Sequence, residues 1–240
     1  MDAYRRANRA LWDEWTAINA RSTLYRLDEF RAGKNKLNAL ERREVGDVKG
    51  CSLLHLQCHF GMDTLSWAML GAEVTGVDFS EEAIRLARSL SEEMNLPGRF
   101  VCSDIYELEQ HLQGTFDIVY TSYGFVNWLS DLEEWARIVA RYLRPGGFVY
   151  LAEFHPFGMV FDDAVQEAEW RVGYDYFDSS MLQFEVLGSY ADRSAAVQQA
   201  VSYEWMHSLS EIINSLLKAG LQLEIGRAHV GTPVTEYDLV

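Results

Sequence analysis

The sequence is poor in several features that mark whole classes of protein. It has three cysteines in 240 residues, an odd number, so a disulfide-stapled secreted domain is not indicated and we expect reduced thiols in the cytoplasm. No apolar run approaches the roughly 20 residues that cross a bilayer, and the N-terminus lacks the apolar stretch of a signal peptide. Positive charge is also scarce, with 21 Lys and Arg against 36 Asp and Glu. The net charge of −15 argues against a nucleic-acid partner, because phosphates attract a basic surface.

The middle of the chain alternates between short apolar runs and amphipathic stretches. The predicted strands are residues 52–56, 73–77, 99–102, 116–120 and 148–153. Between them, helices are predicted over residues 63–70, 81–94 and 131–142, with a short turn near 106–112. This alternation predicts a parallel sheet with helices on both faces.

The two flanks of this region have different patterns. Residues 1–45 are predicted to be helical, with apolar residues at helical spacing and with Asp13 and Glu14 on the opposite face. Residues 157–180 are rich in aromatic and acidic residues, and residues 181–190 and 196–206 are predicted to be antiparallel strands. A helix over 208–219 and a last strand from Leu221 complete the prediction.

The most informative segment runs from Leu53 to Ser80. An apolar strand leads through a small loop with Gly61 into a helix, and a second strand then ends at Asp78, 78 − 61 = 17 positions after the glycine. This is the front half of a nucleotide-binding α/β unit. A carboxylate at the tip of the second strand can accept hydrogen bonds from both hydroxyls of a ribose.

Five segments in order resemble the strand ends of the class I S-adenosylmethionine-dependent methyltransferases: LLHLQCHFG, VTGVDFS, CSDIYEL, FDIVYTSYG and LRPGGFVYLAEFHP. The first also resembles an uncharacterised bacterial branch with an HLQCHFG loop. The resemblance implies a Rossmann-like sheet of seven strands, mostly parallel with an antiparallel last strand. It implies a methyltransferase domain over 46–223, with 1–45 as a lid and 157–206 as an acceptor-side insert. S-adenosylmethionine is the implied cofactor and a small molecule the implied methyl acceptor.

The first loop departs from the family pattern Asp-Leu-Gly-Cys-Gly-x-Gly, because Gly61 is the only one of the three glycines that is retained. Glycine is used there because the ligand touches the backbone. The side chains of Gln57 and His59 must therefore point away from the cofactor or contact it themselves. His55 replaces the acid that usually orients the amino group of the cofactor, and Glu41 is a candidate replacement.

The resemblance assigns most of the candidate site residues. Asp78 is expected to bind the ribose, Phe79 to cover the adenine, and Asp104 to accept a hydrogen bond from the adenine amine. The expected cofactor-binding residues are Gln57, Cys58, His59, Gly61, Asp78, Phe79, Ser80, Asp104, Ile105 and Ser122.

Two residues are predicted to act on the acceptor. Tyr123 follows the fourth strand, and His155 ends the fifth on the same rim. The unperturbed pKa of a histidine suits proton transfer, although His155 before a proline also suits a structural hydrogen bond. His59 is a weaker candidate base, and His207 is interpreted as a cap or core partner.

Other interpretations are open or disfavoured. An NAD-dependent dehydrogenase would require Gly-x-Gly-x-x-Gly after the first strand, and this motif is absent. A non-catalytic module that binds a nucleoside remains an alternative, because the glycine loop is substituted. A zinc site at His55, Cys58 and His59 lacks paired ligand spacing, and nothing near Cys58 indicates a catalytic thiolate.

The last seventeen residues, EIGRAHVGTPVTEYDLV, resemble the translation of a short-read sequencing adapter. We expect residues 224–240 to be a non-native read-through tail from a metagenomic assembly, with a different native sequence after about Leu223.

Overall fold

The computed structural model describes residues 1–161 and 170–224. Its centre is a five-stranded parallel sheet in the order β3-β2-β1-β4-β5. The strands are β1 (Ser52–Leu56), β2 (Glu73–Asp78), β3 (Gly98–Cys102), β4 (Phe116–Ser122) and β5 (Leu143–Ala152). In their register Leu56 lies beside Val77, Asp78 beside Cys102, and Tyr120 beside His55. The carboxyl ends of β1 to β4 therefore meet along one edge of the sheet.

Seven α-helices lie in the described residues. They are α1 (Ala3–Arg21), α2 (Leu27–Arg31), α3 (Ala39–Val45), α4 (Met62–Met69), α5 (Glu81–Glu93), α6 (Leu132–Tyr142) and α7 (Leu209–Lys218). Short 3₁₀ turns cover Ile105–Gln110, Val126–Trp128 and Pro156–Val160. None of the described helices has the length and apolar character that a bilayer crossing requires.

Both faces of the sheet are buried under helices. On one face, α6 packs its fully buried Trp135 and Val139 against β4 and against Leu108 of the first 3₁₀ turn. On the other face, Leu65 of α4 and Ala87 of α5 pack against Phe100 of β3. The predicted α/β class with a mostly parallel sheet is confirmed.

The prediction of seven strands in one sheet is wrong for the described residues. β6 (Met181–Glu185) and β7 (Val201–Trp205) form a separate antiparallel pair. The side chain of Asn8 in α1 donates to the Tyr203 carbonyl at 2.6 Å and accepts from the Tyr203 N–H at 2.9 Å. Because α1 engages β7 in this way, the pair rests on the N-terminal helix and does not extend the main sheet.

The last strand was predicted to begin at Leu221, but residues 221–224 form no strand. Its remainder and residues 225–240 of the predicted read-through tail lie outside the described residues, as do residues 162–169 of the predicted insert.

The acidic side chains of α1 that the sequence places on its outer face hold distant segments. Asp13 Oδ1 accepts hydrogen bonds from Ser80 Oγ at 2.7 Å and from the Glu82 N–H at 3.2 Å, at the start of α5. Glu14 accepts from the backbone N–H groups of Gln198 and Gln199 at 2.6 and 3.0 Å. These contacts fasten α1 across the end of β2 and against the segment that leads into β7.

Candidate functional site

Asp78 ends β2 and is buried, with 8% of its surface exposed. Its Oδ2 accepts a hydrogen bond from the His59 N–H at 2.8 Å, and its Oδ1 accepts from the Ser80 N–H at 2.9 Å. Burial raises the pKa of Asp78 to about 6, although the backbone donors oppose this shift. The carboxyl group thereby joins the loop after β1 to the start of α5, where Ser80 caps the helix.

Asp104 lies just after β3, and the neighbouring Ser103 N–H donates to the Asp78 carbonyl at 2.9 Å. Its Oδ1 accepts from the Tyr106 N–H at 3.0 Å, and its Oδ2 accepts from Arg5 Nη1 of α1 at 2.7 Å. The Arg5 guanidinium also lies 4.9 Å from the centroid of the Tyr106 ring. Burial raises the pKa of Asp104, and the charge of Arg5 opposes that rise.

Arg5 was not predicted as a site residue. It belongs to a short basic cluster in a helix, and no motif in the sequence connects it to the end of β3. Asp104, which was predicted to accept a hydrogen bond from the adenine amine, accepts one from the Arg5 guanidinium in this structure. The adenine role of Asp104 stays a prediction.

Most of the predicted site residues border one continuous cavity along the carboxyl edge of the sheet. Asp78, Phe79, Asp104 and Ile105 border it at the ends of β2 and β3. The lining continues past the loop after β1 and the end of β4, and then along β5 to α7. The two acids that the sequence placed in a common site therefore do face a common cavity.

The loop after β1 has a glycine-like backbone at two positions where the family pattern has glycine and this chain has another residue. Gln57 and His59 have φ angles of 52° and 50°, in the left-handed region that non-glycine residues seldom occupy. Each such position costs on the order of 1 kcal/mol. Both side-chain polar atoms of Gln57 are buried and have no hydrogen-bond partner among the described residues.

Gly61 begins α4 with a φ of 76°. A Cβ at this position would lie 2.7 Å from Cε1 of Phe100 and 3.0 Å from Cβ of Ala87. Glycine is therefore required by the packing behind the loop as well as by the backbone angle. The predicted approach of a cofactor to this glycine stays a prediction.

His59 packs among aromatic side chains. Its ring centroid lies 4.2 Å from that of Phe60, 5.2 Å from that of Trp12 and 5.4 Å from that of Tyr25. Burial lowers the pKa of His59 to about 3, so the ring is neutral at physiological pH and is a weak proton acceptor. Burial also raises the pKa of Cys58, which keeps that residue a thiol.

His55 carries no charge where the family pattern has an acid. It is 2% exposed, its Nδ1 lies 2.8 Å from Thr64 Oγ1, and burial lowers its pKa to about 3. Its Nε2 is buried without a hydrogen-bond partner among the described residues. Glu41 of α3, the candidate replacement, is also buried, and it accepts from the Tyr120 hydroxyl and from the Asn38 N–H at 2.7 Å.

Asp63 is a cavity-lining acid that the sequence analysis did not select. It lies in the first turn of α4, and its Oδ2 accepts from Ser122 Oγ at 3.3 Å. Burial, followed by the negative charge of Glu41, raises the pKa of Asp63 to about 7. Acids are common in first turns because of the helix dipole, so the sequence pattern gives no sign of this environment.

Tyr123 is held at the start of the loop after β4. It has a φ of 33°, its N–H donates to the Ala152 carbonyl at 2.7 Å, and its hydroxyl accepts from Asn38 Nδ2 at 3.1 Å. Burial raises its pKa to about 12, so the phenol keeps its proton at neutral pH. Glu153, another residue that the sequence analysis missed, fixes the same loop by accepting from the Gly124 N–H at 2.6 Å.

The two histidines after β5 and β7 have structural contacts. His155 is exposed and caps the third 3₁₀ turn, where its Nδ1 accepts from the Phe157 N–H at 3.2 Å. His207 donates from Nε2 to the Leu129 carbonyl at 2.7 Å and is buried. His155 also borders the cavity, and its predicted catalytic role stays a prediction.

An aromatic cluster covers the loop after β1. Trp12 of α1 lies at its centre, with ring centroids 5.2 Å from Trp15, 5.3 Å from Trp128 and 6.1 Å from Tyr190. The Tyr190 hydroxyl is hydrogen-bonded to that of Tyr25. Side chains from four separate segments therefore shield this end of the cavity from water.

Comparison with known proteins agrees with this architecture. Residues 53–147 match the sequence model of a family described as "Methyltransferase domain". A ubiquinone biosynthesis O-methyltransferase from Chromobacterium violaceum is 27% identical over 135 residues, which are 56% of this chain and 57% of the relative. The chain thus spans about half the length of the curated relatives it matches.

Solved structures share the fold at low sequence identity. An S-adenosylmethionine-dependent methyltransferase from Mesorhizobium loti superposes with a TM-score of 0.59 at 23% identity, covering 81% of this chain and 84% of that one. DhpI, solved as a complex with SAH, has a TM-score of 0.56 at 17% identity, covering 90% and 87%. Residues 53–147 therefore match a methyltransferase domain, and the parallel sheet with a cavity at its carboxyl edge has the Rossmann-like fold of these solved structures.

Proposed function

We propose that the protein is an S-adenosylmethionine-dependent methyltransferase that acts on a small-molecule acceptor. The observation that carries the proposal is the placement of Asp78 and Asp104. Their strands are neighbours, both carboxyl groups are buried, and both border the same cavity within a methyltransferase domain. Paired carboxylates at such strand ends suit the hydroxyl and amine groups of a nucleoside.

The residues along the cavity fit the proposed cofactor. Asp78 and Asp104 offer carboxylates at the end for the nucleoside. At the other end, Nε2 of His55 and both polar atoms of Gln57 lack partners among the described residues. Buried polar atoms without partners are uncommon and mark sites where a ligand completes the hydrogen bonding. When bound, S-adenosylmethionine supplies a methyl carbon on a positively charged sulfur.

The chain contributes alignment and shielding. A nucleophile must approach the methyl carbon in line, and holding it there supplies much of the acceleration in such reactions. The cluster around Trp12 excludes water from this end of the cavity. In this proposal residues 1–45 form a lid, 46–223 the methyltransferase domain and 157–206 the acceptor side; the contacts of Arg5, Asp13 and Glu14 support the lid.

A hydroxyl acceptor is proposed because the curated relatives are named O-methyltransferases. Its proton must pass to a base during the transfer. Tyr123 is protonated at neutral pH and suits positioning of the acceptor oxygen through a hydrogen bond. His155 is the proposed proton acceptor. Its Nδ1 accepts from the Phe157 N–H, so the neutral ring carries its hydrogen on Nε2, and Nδ1 must give up that contact to take the proton of the acceptor.

Calorimetric titration with S-adenosylmethionine, S-adenosylhomocysteine and NAD tests the proposal. We expect both sulfur nucleosides to bind and NAD not to bind. Incubation with S-adenosylmethionine and a panel of phenols, amines and thiols should then yield S-adenosylhomocysteine with phenols. Failure of both sulfur nucleosides to bind contradicts the proposal.

A non-catalytic nucleoside-binding module is the second candidate. It is favoured by the loop after β1, where Gln57 and His59 stand in place of glycines at positive φ. Tight binding of S-adenosylhomocysteine without turnover for any acceptor of the panel would support this candidate over the enzyme.

A further inference from the structure

The site has a histidine at position 55, where the family pattern has an acid, and two acids nearby that form no ion pair among the described residues. Position 55, where the family pattern has a carboxylate, holds a buried and neutral histidine. Close by in the fold, Asp63 of α4 and Glu41 of α3 border the same cavity and contact Ser122 and Tyr120 at the end of β4. Neither forms an ion pair within the described residues. Two neighbouring carboxyl groups that form no ion pair favour a positively charged ligand, although the charge of Lys36 also acts on Asp63.

Polar atoms around the two acids also lack partners. His55, which is 98% buried (100 − 2), borders the same cavity and has no partner for its Nε2 in the described part of the chain. Both polar atoms of the Gln57 amide are in the same condition. These atoms without partners lie beside two carboxyl groups. Together they fit a ligand that carries an ammonium group and a carboxylate on one carbon.

We propose that Asp63, supported by Glu41, binds the ammonium group of the amino-acid end of the cofactor, in place of the acid absent at position 55. The inference rests on the proposed function. Ser122 orients the Asp63 carboxyl through its hydroxyl, and Tyr120 and Asn38 hold Glu41. An amine-bearing acceptor would offer the same ammonium chemistry, and the choice of ligands in the test separates the two sources.

The charged and titratable groups around Asp63 determine its pH dependence. They are Glu41 of α3, Lys36 before α3, Tyr25 and Cys58 from the adjoining loops, and Tyr120 and Tyr123 at the end of β4. The tyrosines and the thiol keep their protons at neutral pH, because burial raises the pKa of each. Because the pKa of Asp63 is raised to about 7, its carboxyl group changes charge between pH 6 and 8. An ammonium ligand favours the ionised form.

The test compares S-adenosylhomocysteine with 5′-methylthioadenosine, which has the same nucleoside and sulfur but no amino-acid end. Both ligands contact Asp78, so the ratio of their affinities isolates the amino-acid end. From pH 6 to pH 8 we expect this ratio to rise about tenfold in the wild-type protein in favour of S-adenosylhomocysteine. Calorimetry in buffers of different ionisation enthalpy should show proton release with that ligand near pH 7.

The isosteric variant Asp63→Asn removes the charge and keeps the shape. At pH 8 it should weaken binding of S-adenosylhomocysteine about 20-fold, change that of 5′-methylthioadenosine less than twofold, and abolish the proton release. Asp117→Asn is the matched control, because Asp117 also accepts from a serine hydroxyl but lies at the opposite end of β4. The control should leave both affinities unchanged.

Each other outcome overturns the inference. An affinity ratio that does not change with pH, or a variant that weakens both ligands equally, contradicts the role of Asp63 while leaving the proposed function intact. A variant that binds S-adenosylhomocysteine normally but loses affinity for an amine acceptor assigns the ammonium to the acceptor. Failure of both nucleosides to bind the wild-type protein rejects the proposed function and this inference together. If Asp63→Asn does not fold, the wild-type pH comparison still decides.

Discussion

The two ends of the cavity differ in how far their polar groups are satisfied by the protein itself. At the β2–β3 end, comprising Arg5, Asp78 and Asp104, each carboxyl oxygen accepts a hydrogen bond from a backbone N–H or from the guanidinium. At the β1–β4 end, comprising Glu41, His55, Gln57 and Asp63, the acids form no ion pair and both polar atoms of Gln57 lack partners within the described residues.

This difference separates two ways of building a binding site. The β2–β3 end is preorganised by α1, and a ligand must replace or share contacts that already exist. The β1–β4 end is left incomplete, and each unsatisfied buried group costs about 1–3 kcal/mol until a ligand supplies the missing partner. Stability is commonly given up in this way where function needs it.

The largest effect is expected at the β2–β3 end for Asp78→Asn. The variant loses the charge that would bind two ribose hydroxyls and weakens the link to the His59 N–H. We expect both S-adenosylhomocysteine and 5′-methylthioadenosine to bind about 100-fold more weakly, equivalent to two charge-assisted hydrogen bonds. Calorimetric titration measures the change, with Asp117→Asn as control. Equal binding by variant and wild type would remove Asp78 from the site.

Arg5→Met is expected to have the next largest effect and the opposite sign. It frees the Asp104 oxygen that now accepts from Arg5 Nη1, so a ligand amine meets no competitor. We expect 5′-methylthioadenosine to bind about tenfold more tightly, because one charge-assisted hydrogen bond no longer has to be displaced. Arg6→Met is the matched control, since Arg6 is bonded to the Met1 carbonyl. Weaker binding by Arg5→Met would instead make Arg5 part of the ligand contact.

At the β1–β4 end, we expect Asp63→Asn to change the free energy of unfolding. The pKa of Asp63 is raised from 3.8 to about 7, so the folded state binds more protons than the unfolded state between these pH values. Stability from this group is therefore present at low pH and is lost as pH rises through 7. We expect the variant to be more stable than the wild type by about 1–2 kcal/mol at pH 8, after allowance for solvent screening, and by less at pH 5. Urea denaturation at both pH values measures this, and an equal difference at the two values would contradict it.

The smallest effect is expected for Gln57→Gly. Glycine adopts a φ of 52° without steric cost and removes the two polar atoms that lack partners. Gln57→Ala removes the same atoms but keeps the strained backbone, so it is the matched control. We expect the glycine variant to be more stable than the alanine variant by about 1 kcal/mol in chemical denaturation. Equal stability would show that the loop carries no backbone strain.

The sequence predicted the sheet well because strands in a parallel sheet are buried on both faces. The predicted bounds of β1 coincide with those observed, and the predicted helix over 81–94 differs from α5 by one residue at its end. The strand after α6 was placed too late, at residue 148, because Pro145 and two glycines resemble a turn although β5 already begins at Leu143. Local patterns locate elements, but a strand bound depends also on the neighbour with which it pairs.

The site was predicted less completely. The approach of Arg5 to Asp104 joins residues 99 positions apart, and no local spacing encodes it. The same holds for Glu41 and Asp63, whose raised pKa values come from shared burial in one cavity. The prediction of seven strands in one sheet was wrong for a related reason. Asn8 of α1 contacts β7, and only the folded chain brings these two segments together.

Periodicity and strand-end motifs by themselves determined the order of elements, the parallel sheet and the two acids at the tips of β2 and after β3. These are properties of short segments, in which hydrophobic spacing and capping act over a few residues. Tertiary structure alone decided which buried acids of the described residues accept a hydrogen bond from a cation, as Asp104 does from Arg5, and which accept only from neutral groups. That distinction depends on charge, burial and distance between segments remote in sequence, because electrostatic energy follows separation in space and local dielectric.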